Sequence, residues 1–271
     1  MELAAYLDRV GFTGQARPDL ATLRTVHRAH LLAIPYENLD VQLRRPVTTD
    51  PAAAFDKIVR HGRGGWCYEM NGLLGWALEE IGFSVTRMSG AVAREFRGDD
   101  AAGNHLILKV DLDGEAWIAD AGFGDGPLGP FRIQSGAFRD GSYDFSLSVQ
   151  PDGWWRMTNH PRGGAPSFDF RNEPADEAVL ANKCHWLQTA PDSNFVLNAV
   201  VQRHRPEGLA ILRGRTLRML LPDGTPERLI GSADEFVDVL TTVFALDLPG
   251  AADLWPAICA RHESLFGPQA V

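Results

Sequence analysis

The chain has 271 residues, 45% of them apolar, three cysteines and a formal net charge of −9, with a mean hydropathy of −0.15. That length supports two or three compact units with cores of their own, and no apolar run approaches the roughly 18 residues of a membrane-spanning helix. The acidic balance argues against a broad nucleic-acid surface, so any phosphate-bearing ligand must find a local positive site. Three widely spaced cysteines suit a reducing compartment and not a disulfide framework. Met1 to Asp8 carries no basic segment followed by a long apolar stretch, so no secretory signal is visible and a cytoplasmic location is expected.

Helical signals dominate the first 85 residues. Leu3, Tyr6, Leu7 and Val10 keep i, i+3, i+4, i+7 spacing before Gly11, and Asp19 caps a second helix with Leu20, Leu23 and His27 on one face. Asp50-Pro51 opens a third helix, with proline at its first position, that runs through Phe55, Ile58 and Val59 to Gly62. A fourth begins at Cys67, aligns Met70, Leu74, Ala77, Leu78 and Ile81, and stops at Gly82. After Phe83 the pattern changes to period two until about residue 180. Asn104 to Leu112 alternates, Asp113-Gly114 is a two-residue turn, Glu115 to Asp120 returns, and Pro151-Asp152-Gly153 marks another turn. These features predict an antiparallel sheet or small barrel. Short strands are predicted near Phe195 to Val201, Leu209 to Leu212 and Leu217 to Leu221. A capping box of Ser232 and Glu235 then opens a helix through Phe236, Val239, Leu240 and Val243. No internal repeat stands out, and the expected units are 1–85, 86–185 and 186–271.

Arg63-Gly64-Gly65-Trp66-Cys67-Tyr68-Glu69-Met70-Asn71 delivers one cysteine, behind a glycine pair, to the start of the fourth helix. A helix N-terminus carries partial positive charge and unpaired N–H groups, which favour thiolate and lower a cysteine pKa below its free value of about 8.5. A structural cysteine is the competing reading, since free cysteines are among the most buried residues. The glycine pair favours a nucleophile, because it leaves room for a substrate to approach the backbone.

A nucleophilic cysteine needs a base and a group to orient that base. If Asp113 and Gly114 form the loop, Leu112 pairs with Glu115, and the same register sets Ile107 opposite Asp120 and His105 opposite Gly122. His105 and Asp120 are then diagonal neighbours on one face, with Cβ atoms within about 8 Å. The other face carries Leu106, Leu108, Val110 and Leu112 and is expected to pack into a core, leaving His105 and Asp120 to look toward a cleft.

The remaining candidates read more plainly. His27 and His30 lie three apart on a helix without an adjoining carboxylate or cysteine cluster, and Lys183-Cys184-His185 lacks the second pair of a zinc site, so no metal is expected. Cys184 and Cys259 read as structural. Within Ile34-Pro35-Tyr36-Glu37-Asn38-Leu39, Glu37 is expected to pair with Arg63 and fix the glycine turn. Ala119-Asp120-Ala121-Gly122-Phe123-Gly124-Asp125-Gly126 sets three glycines and an aromatic just past the orienting carboxylate, yet lacks the Gly-Lys-Ser/Thr end of a Walker A loop.

Together these segments resemble the arylamine N-acetyltransferase family. Ile34 to Leu39 is similar to the family's Pro-Phe-Glu-Asn-Leu segment, and Arg63 to Asn71 to its Arg-Gly-Gly-x-Cys-x-Glu-x-Asn signature, while His105 and Asp120 look like the other two members of its triad. Tyr36 stands where the family typically has Phe, which keeps an aromatic wall, adds a hydroxyl and bears on substrate preference. The resemblance implies an α+β multidomain fold: a helical first unit, a central antiparallel β-barrel and a C-terminal α/β lid around a cysteine-protease-like core. It implies ping-pong transfer of acetyl from acetyl-CoA, through an acetyl-cysteine on Cys67, to an arylamine, arylhydrazine or N-arylhydroxylamine. His105 would serve as base and Asp120 as the group that orients it. By the same resemblance Tyr36, Tyr68, Phe123 and Phe195 contact the aromatic acceptor, and Asn104, Gly122 and Gly124 lie near the pantetheine arm. Arg203, Arg205, Arg213, Arg215 and Arg218 form a basic stretch that either meets the CoA phosphates or is a solvated face. Two rivals share the fold or the triad: an amide synthase that releases a polyketide chain onto an arylamine, and a cysteine hydrolase or transglutaminase-like enzyme.

Overall fold

The protein was analysed as a computed structural model that describes residues 1–267. The expected helical opening is present. Helix α1 (Leu3–Val10) stops at Gly11, whose φ is +70°, and Asp19 caps α2 (Leu20–Ala33) by accepting the Thr22 N–H at 2.8 Å. After strand β1 (Tyr36–Glu37) and the short α3 (Leu39–Gln42), α4 (Pro51–Phe55) departs from expectation. It does not continue as an α-helix to Gly62 but widens into a π-turn over Asp56–Arg60, where the His61 N–H bonds five residues back to Asp56 O at 3.2 Å. Wide turns of this kind re-aim side chains, and here Lys57 is turned inward onto Asp40 and Glu69, at 2.9 Å from each. Helix α5 (Cys67–Ile81) ends on Gly82 at φ +108°.

Eight strands follow in one antiparallel sheet: β2 (Ser84–Val92), β3 (His105–Leu112), β4 (Glu115–Ala119), β5 (Phe131–Arg132), β6 (Gly136–Asp140), β7 (Tyr143–Val149), β8 (Trp155–Thr158) and β9 (Ser167–Phe170). Their order across the sheet is β5-β4-β3-β2-β9-β8-β7-β6, with the short helix α6 (Arg94–Arg97) between β2 and β3. Asp113 and Gly114 both take positive φ, +53° and +78°, as a two-residue hairpin turn with right-handed flanking strands demands. Leu112 pairs with Glu115 and Leu108 with Ala119, the register read from the sequence.

The expected division of β3 into one packed and one open face does not hold. Leu108 and Val110 join the core shared with α1, α2 and α5, while Ile107 joins Met88, Ile118, Phe131, Phe168 and Phe170 in a second core on the opposite side. A twisted eight-stranded sheet curls until its inner face packs against itself, so His105 ends up only 2% exposed.

Helices α7 (Glu177–Thr189) and α8 (Asn194–Leu197) lead to a second antiparallel sheet of β1, β10 (Val200–Arg205), β11 (Gly208–Arg213), β12 (Thr216–Leu220) and β13 (Glu227–Leu229), in that order. The strand predicted near Phe195 is instead α8. Ser193 caps its start through the Phe195 N–H, and Asn38 takes the Phe195 and Asn198 carbonyls at 2.9 and 2.8 Å, holding the chain in a turn. Helices α9 (Ala233–Thr242), capped by Ser232 as expected, and α10 (Trp255–Phe266) cover one face of this sheet over Val201, Leu212, Phe236, Leu240 and Ile258. No helix among the described residues is long and apolar enough to cross a membrane.

Three of the buried histidines, His27, His30 and His204, are pushed toward the neutral ring by their burial. Burial pushes His30 down to about 3, helped by His27 and Arg9, and His204 down to about 4; His27 is lowered for the same reason despite its bond to Leu128 O at 2.9 Å. Because the folded state refuses protons that the unfolded chain accepts near pH 6.5, their contribution to stability is complete above that pH. It is lost as the pH falls toward the folded values, at a rate on the order of 1 kcal/mol per histidine per pH unit. The thermal midpoint is therefore expected to drop by several degrees between about pH 7 and pH 5. A flat calorimetric profile over that interval would contradict this assignment.

Candidate active site

The site is assembled around a buried charge cluster that shapes the approach to Cys67. Arg63 Nη2 meets Glu37 Oε1 at 2.7 Å, the pairing expected from the sequence, and Asp40 Oδ1 at 3.1 Å. Lys57 Nζ joins Asp40 and both oxygens of Glu69. Three carboxylates thus share two cations away from water. Burial and the neighbouring Glu37 push Glu69 up to about 7 against the pull of Lys57, whereas burial of Asp40 is outweighed by Lys57 and Arg63, which hold it below the usual carboxylate range. Glu69 Oε2 also accepts the Trp66 N–H at 3.2 Å, satisfying one of the orphan donors at the start of α5. The glycine pair is a steric requirement: a Cβ at Gly64 would overlap the Pro35 carbonyl, and one at Gly65 would sit 2.8 Å from Glu69 Cβ.

Cys67 is the first residue of α5 and is 3% exposed. Burial pushes its thiol up, opposed by backbone N–H groups at Leu106 and Tyr68. Enclosure of the sulfur thus opposes the preference for thiolate that the helix start confers.

The His105 Nε2 atom lies 2.8 Å from Asp120 Oδ2, so the diagonal pair read from the hairpin is in contact. With Nε2 on the carboxylate, Nδ1 is the nitrogen left to exchange a proton. The ring is held between Phe123 and Phe168, at centroid distances of 5.9 and 5.4 Å, and its edge packs on Gly90, where a Cβ would stand 3.1 Å from His105 Cδ2. Asp120 is also fixed by Asn71 Nδ2 at 2.7 Å and the Gly122 N–H at 2.8 Å. Burial would raise this carboxyl, but the imidazole and these hydrogen bonds outweigh it and hold Asp120 ionised below the ordinary range.

Gly122 joins the two halves. While its N–H serves Asp120, its Cα lies so close to α5 that a Cβ would stand 2.6 Å from Cys67 Cα and 2.7 Å from Asn71 Nδ2. The structure thus brings Cys67, His105, Asp120 and Gly122 to one place. Asn71, quoted in the sequence motif but given no role there, is the residue that sequence reasoning missed. It lies four positions after Cys67 and hence on the same face of α5. Its amide nitrogen also donates to Leu106 O at 2.5 Å, and its oxygen accepts the Ala121 N–H at 2.8 Å.

The other expected contacts fall into two groups. Tyr36 and Phe195 pack against the cluster of Trp66, Cys67 and Tyr68, Phe195 with its ring 5.2 Å from Trp66, and Phe123 lies beside His105. Tyr68 has no exposed surface and donates its hydroxyl to Gly103 O at 2.6 Å, which makes it packing support behind the cysteine. Asn104 spends its side-chain amide on the Val92 backbone and presents only its carbonyl to Cys67 Sγ, at 4.0 Å. Gly124, at φ +89°, fits against the Gln202 amide. Most of the arginine stretch is engaged internally: Arg203 on Leu32 O, Arg205 on Glu207 and Val243 O, Arg215 on Ile230 O and Arg218 on Glu227. No group of histidine, cysteine and carboxylate side chains among the described residues is arranged to hold a metal.

The signature of a family described as N-acetyltransferase matches residues 19–253. The arylamine N-acetyltransferase of Mycolicibacterium smegmatis is 36% identical, with 92% of this chain and 93% of that protein covered. The arylamine N-acetyltransferase / N-hydroxyarylamine O-acetyltransferase of Salmonella typhimurium is 34% identical over 76% of this chain and 74% of its own length. Among solved structures, the M. smegmatis enzyme superposes with a TM-score of 0.87 at 35% identity over 96% of this chain and 98% of that one. The Mycobacterium marinum arylamine N-acetyltransferase in complex with CoA gives 0.84 at 30% identity over 97% and 99%. With a cysteine, an imidazole and a carboxylate gathered in a fold shared along nearly its whole length, this chain belongs to the arylamine N-acetyltransferase family.

Proposed function

We propose that this chain transfers acetyl from acetyl-CoA to an arylamine, arylhydrazine or N-arylhydroxylamine through a covalent acetyl-cysteine, with Cys67, His105 and Asp120 as the triad. The observation that carries the reading is the His105–Asp120 contact at 2.8 Å on a loop whose Gly122 fits directly against Cys67. In the first half-reaction His105 Nδ1 takes the thiol proton and the sulfur attacks the thioester carbonyl. The tetrahedral oxyanion is met by the N–H of Cys67, which as the first helical residue has no intrahelical partner. Collapse expels the CoA sulfur, His105 returns the proton to it, and acetyl remains on Cys67. In the second half an aromatic amine, already neutral near pH 7, attacks the acetyl carbonyl, His105 accepts its proton, and the amide leaves as Cys67 is regenerated. Asp120 sets the imidazole tautomer and balances the charge it gains in both halves.

In this reading residues 1–85 supply the nucleophile, 86–185 the base and its carboxylate, and 186–271 a lid, an arrangement of the cysteine-protease type. Tyr36, Phe123 and Phe195 form the acceptor wall with Tyr68 behind it, and the backbone at Asn104, Gly122 and Gly124 borders the pantetheine arm. The solved M. marinum relative in complex with CoA supports acetyl-CoA as the donor.

Brief incubation with acetyl-CoA alone is expected to add one acetyl group to the wild-type protein and none to Cys67→Ala. Intact-protein mass spectrometry reads this, and an adduct on both proteins would refute the assignment. Release of acetate without amine, at the rate of transfer, would favour a hydrolase.

Asp120→Asn is expected to retain the fold and lower kcat by on the order of 10³-fold or more. Near-normal turnover would remove Asp120 from the mechanism. Asn71→Ala leaves the Asp120 carboxylate, the Leu106 carbonyl and the Ala121 N–H each short of a partner, and is expected to cost roughly 1–3 kcal/mol in denaturant titration. Its kcat should fall with little change in KM, because the base loses its fixed position and not its substrate; an unchanged kcat would make Asn71 structural only.

A further inference from the structure

The peptide that joins Trp66 to Cys67 is gripped from both sides by one residue, Glu69. The Trp66 carbonyl accepts the Glu69 N–H at 3.0 Å and the Met70 N–H at 2.9 Å, while the Trp66 N–H donates to Glu69 Oε2 at 3.2 Å. A peptide unit is planar and trans, so the Trp66 carbonyl and the Cys67 N–H share one plane and point in opposite directions. Holding that carbonyl on the first turn of α5 therefore aims the Cys67 N–H outward, off the start of the helix. Glu69 is buried, and only a glycine at 65 leaves room for its carboxylate, since a Cβ there would stand 2.9 Å from Oε2.

The Glu69 carboxylate is held in turn by Lys57. Nζ lies 2.9 and 3.0 Å from its two oxygens and 2.9 Å from Asp40 Oδ2. Among the described residues Lys57 is the only cation within 4.0 Å of Glu69. Arg63 is spent on Glu37 and Asp40, at 2.7 and 3.1 Å, and Arg45 stands 3.6 Å from Asp40 with its side chain half exposed. Lys57 belongs to the π-turn over Asp56–Arg60. Such a turn adds one residue to the helical repeat and so rotates side chains by about 100° relative to a continued α-helix. The lysine carbonyl also accepts the Arg63 N–H at 3.2 Å, which ties the π-turn to the segment leading into Gly64 and Gly65.

We propose that Lys57 is a positioning residue for acetyl transfer: by balancing and orienting Glu69 it fixes the Trp66 peptide and thereby aims the Cys67 N–H at the oxyanion. This role rests on the reading of Cys67 as the residue that takes up acetyl, and it gives the π-turn a task in the reaction. In Lys57→Met the three buried carboxylates face Arg63 alone. The single-turnover rate of Cys67 acetylation by acetyl-CoA, followed by rapid quench and intact-protein mass spectrometry, is expected to fall about ten- to hundredfold. The half-saturating acetyl-CoA concentration should stay unchanged. Adding Glu69→Gln removes the unbalanced charge and supplies an amide donor for Asp40, while its oxygen still accepts the Trp66 N–H. The double variant Lys57→Met/Glu69→Gln is expected to regain about five- to tenfold of the lost rate, a recovery that a lysine serving only as packing would not show. Glu69→Asp keeps the charge but is one methylene too short to serve Lys57 and the Trp66 N–H together. It is expected to slow acetylation about tenfold or more, and it decides the matter if the thermal midpoint shows that Lys57→Met does not fold. A wild-type rate in either single variant, or a double variant no faster than Lys57→Met, overturns the role. Amide hydrogen exchange needs no turnover: faster exchange over residues 64–70 in Lys57→Met supports the hold on the turn, and exchange equal to wild type overturns it. Failure of the wild type to take up acetyl would count against the transferase reading, while exchange would still decide whether Lys57 holds the turn.

Discussion

A single carboxylate holds this site together. Asp120 accepts the His105 ring, the Asn71 amide and the Gly122 N–H, three donors from the large sheet, from α5 and from its own loop. Burying an ion is unfavourable unless every oxygen is met, and here both are. The same contacts that stabilise the charge hold the sheet, the helix that begins at Cys67 and the glycine loop in one register. Any residue larger than glycine at 122 would force them apart, so the electrostatic and steric constraints coincide at one turn of chain.

Two opposed forces act on the Cys67 thiol. The start of a helix favours a thiolate, but enclosure by Trp66, Tyr68 and Leu106 disfavours any charge, and burial is the larger influence. Close by, the His105 ring is oriented by Asp120, whose carboxyl is held below the ordinary range by that ring and its other donors.

Much of this was legible in the order of residues. Asp113-Gly114 admits few turns, and its two positive φ values set the register that brings His105 to Asp120 without any knowledge of the tertiary fold. Glu37 found Arg63 as expected, whereas the space that Gly64 and Gly65 were expected to leave for a substrate is taken by Pro35, Glu37 and Glu69. What stayed hidden depended on elements distant in sequence. Period-two alternation in β3 cannot say that both faces will be covered, because that follows from the curl of eight strands. Apolar residues at Phe195 to Leu197 read as strand until Asn38, far away in the chain, claims the carbonyls of the turn. Asn71 sat in plain view, but its three partners come from another unit of the fold and carry no local signature.

The two-residue strand β1 has a consequence for how the molecule can move. Tyr36 pairs with Gln202 on one side and bridges Gly65 on the other, while the Glu37 N–H bonds Gly65 O at 2.9 Å and the Gly65 N–H bonds Pro35 O at 3.2 Å. The small sheet is therefore stitched by backbone to the very turn that presents the sulfur. Sliding that edge costs on the order of 1 kcal/mol for each bond broken, whereas β13, all of whose residues are exposed, ends the sheet on solvent. The edge beside Cys67 is thus tied on both sides by backbone, whereas the far edge is held only through β12.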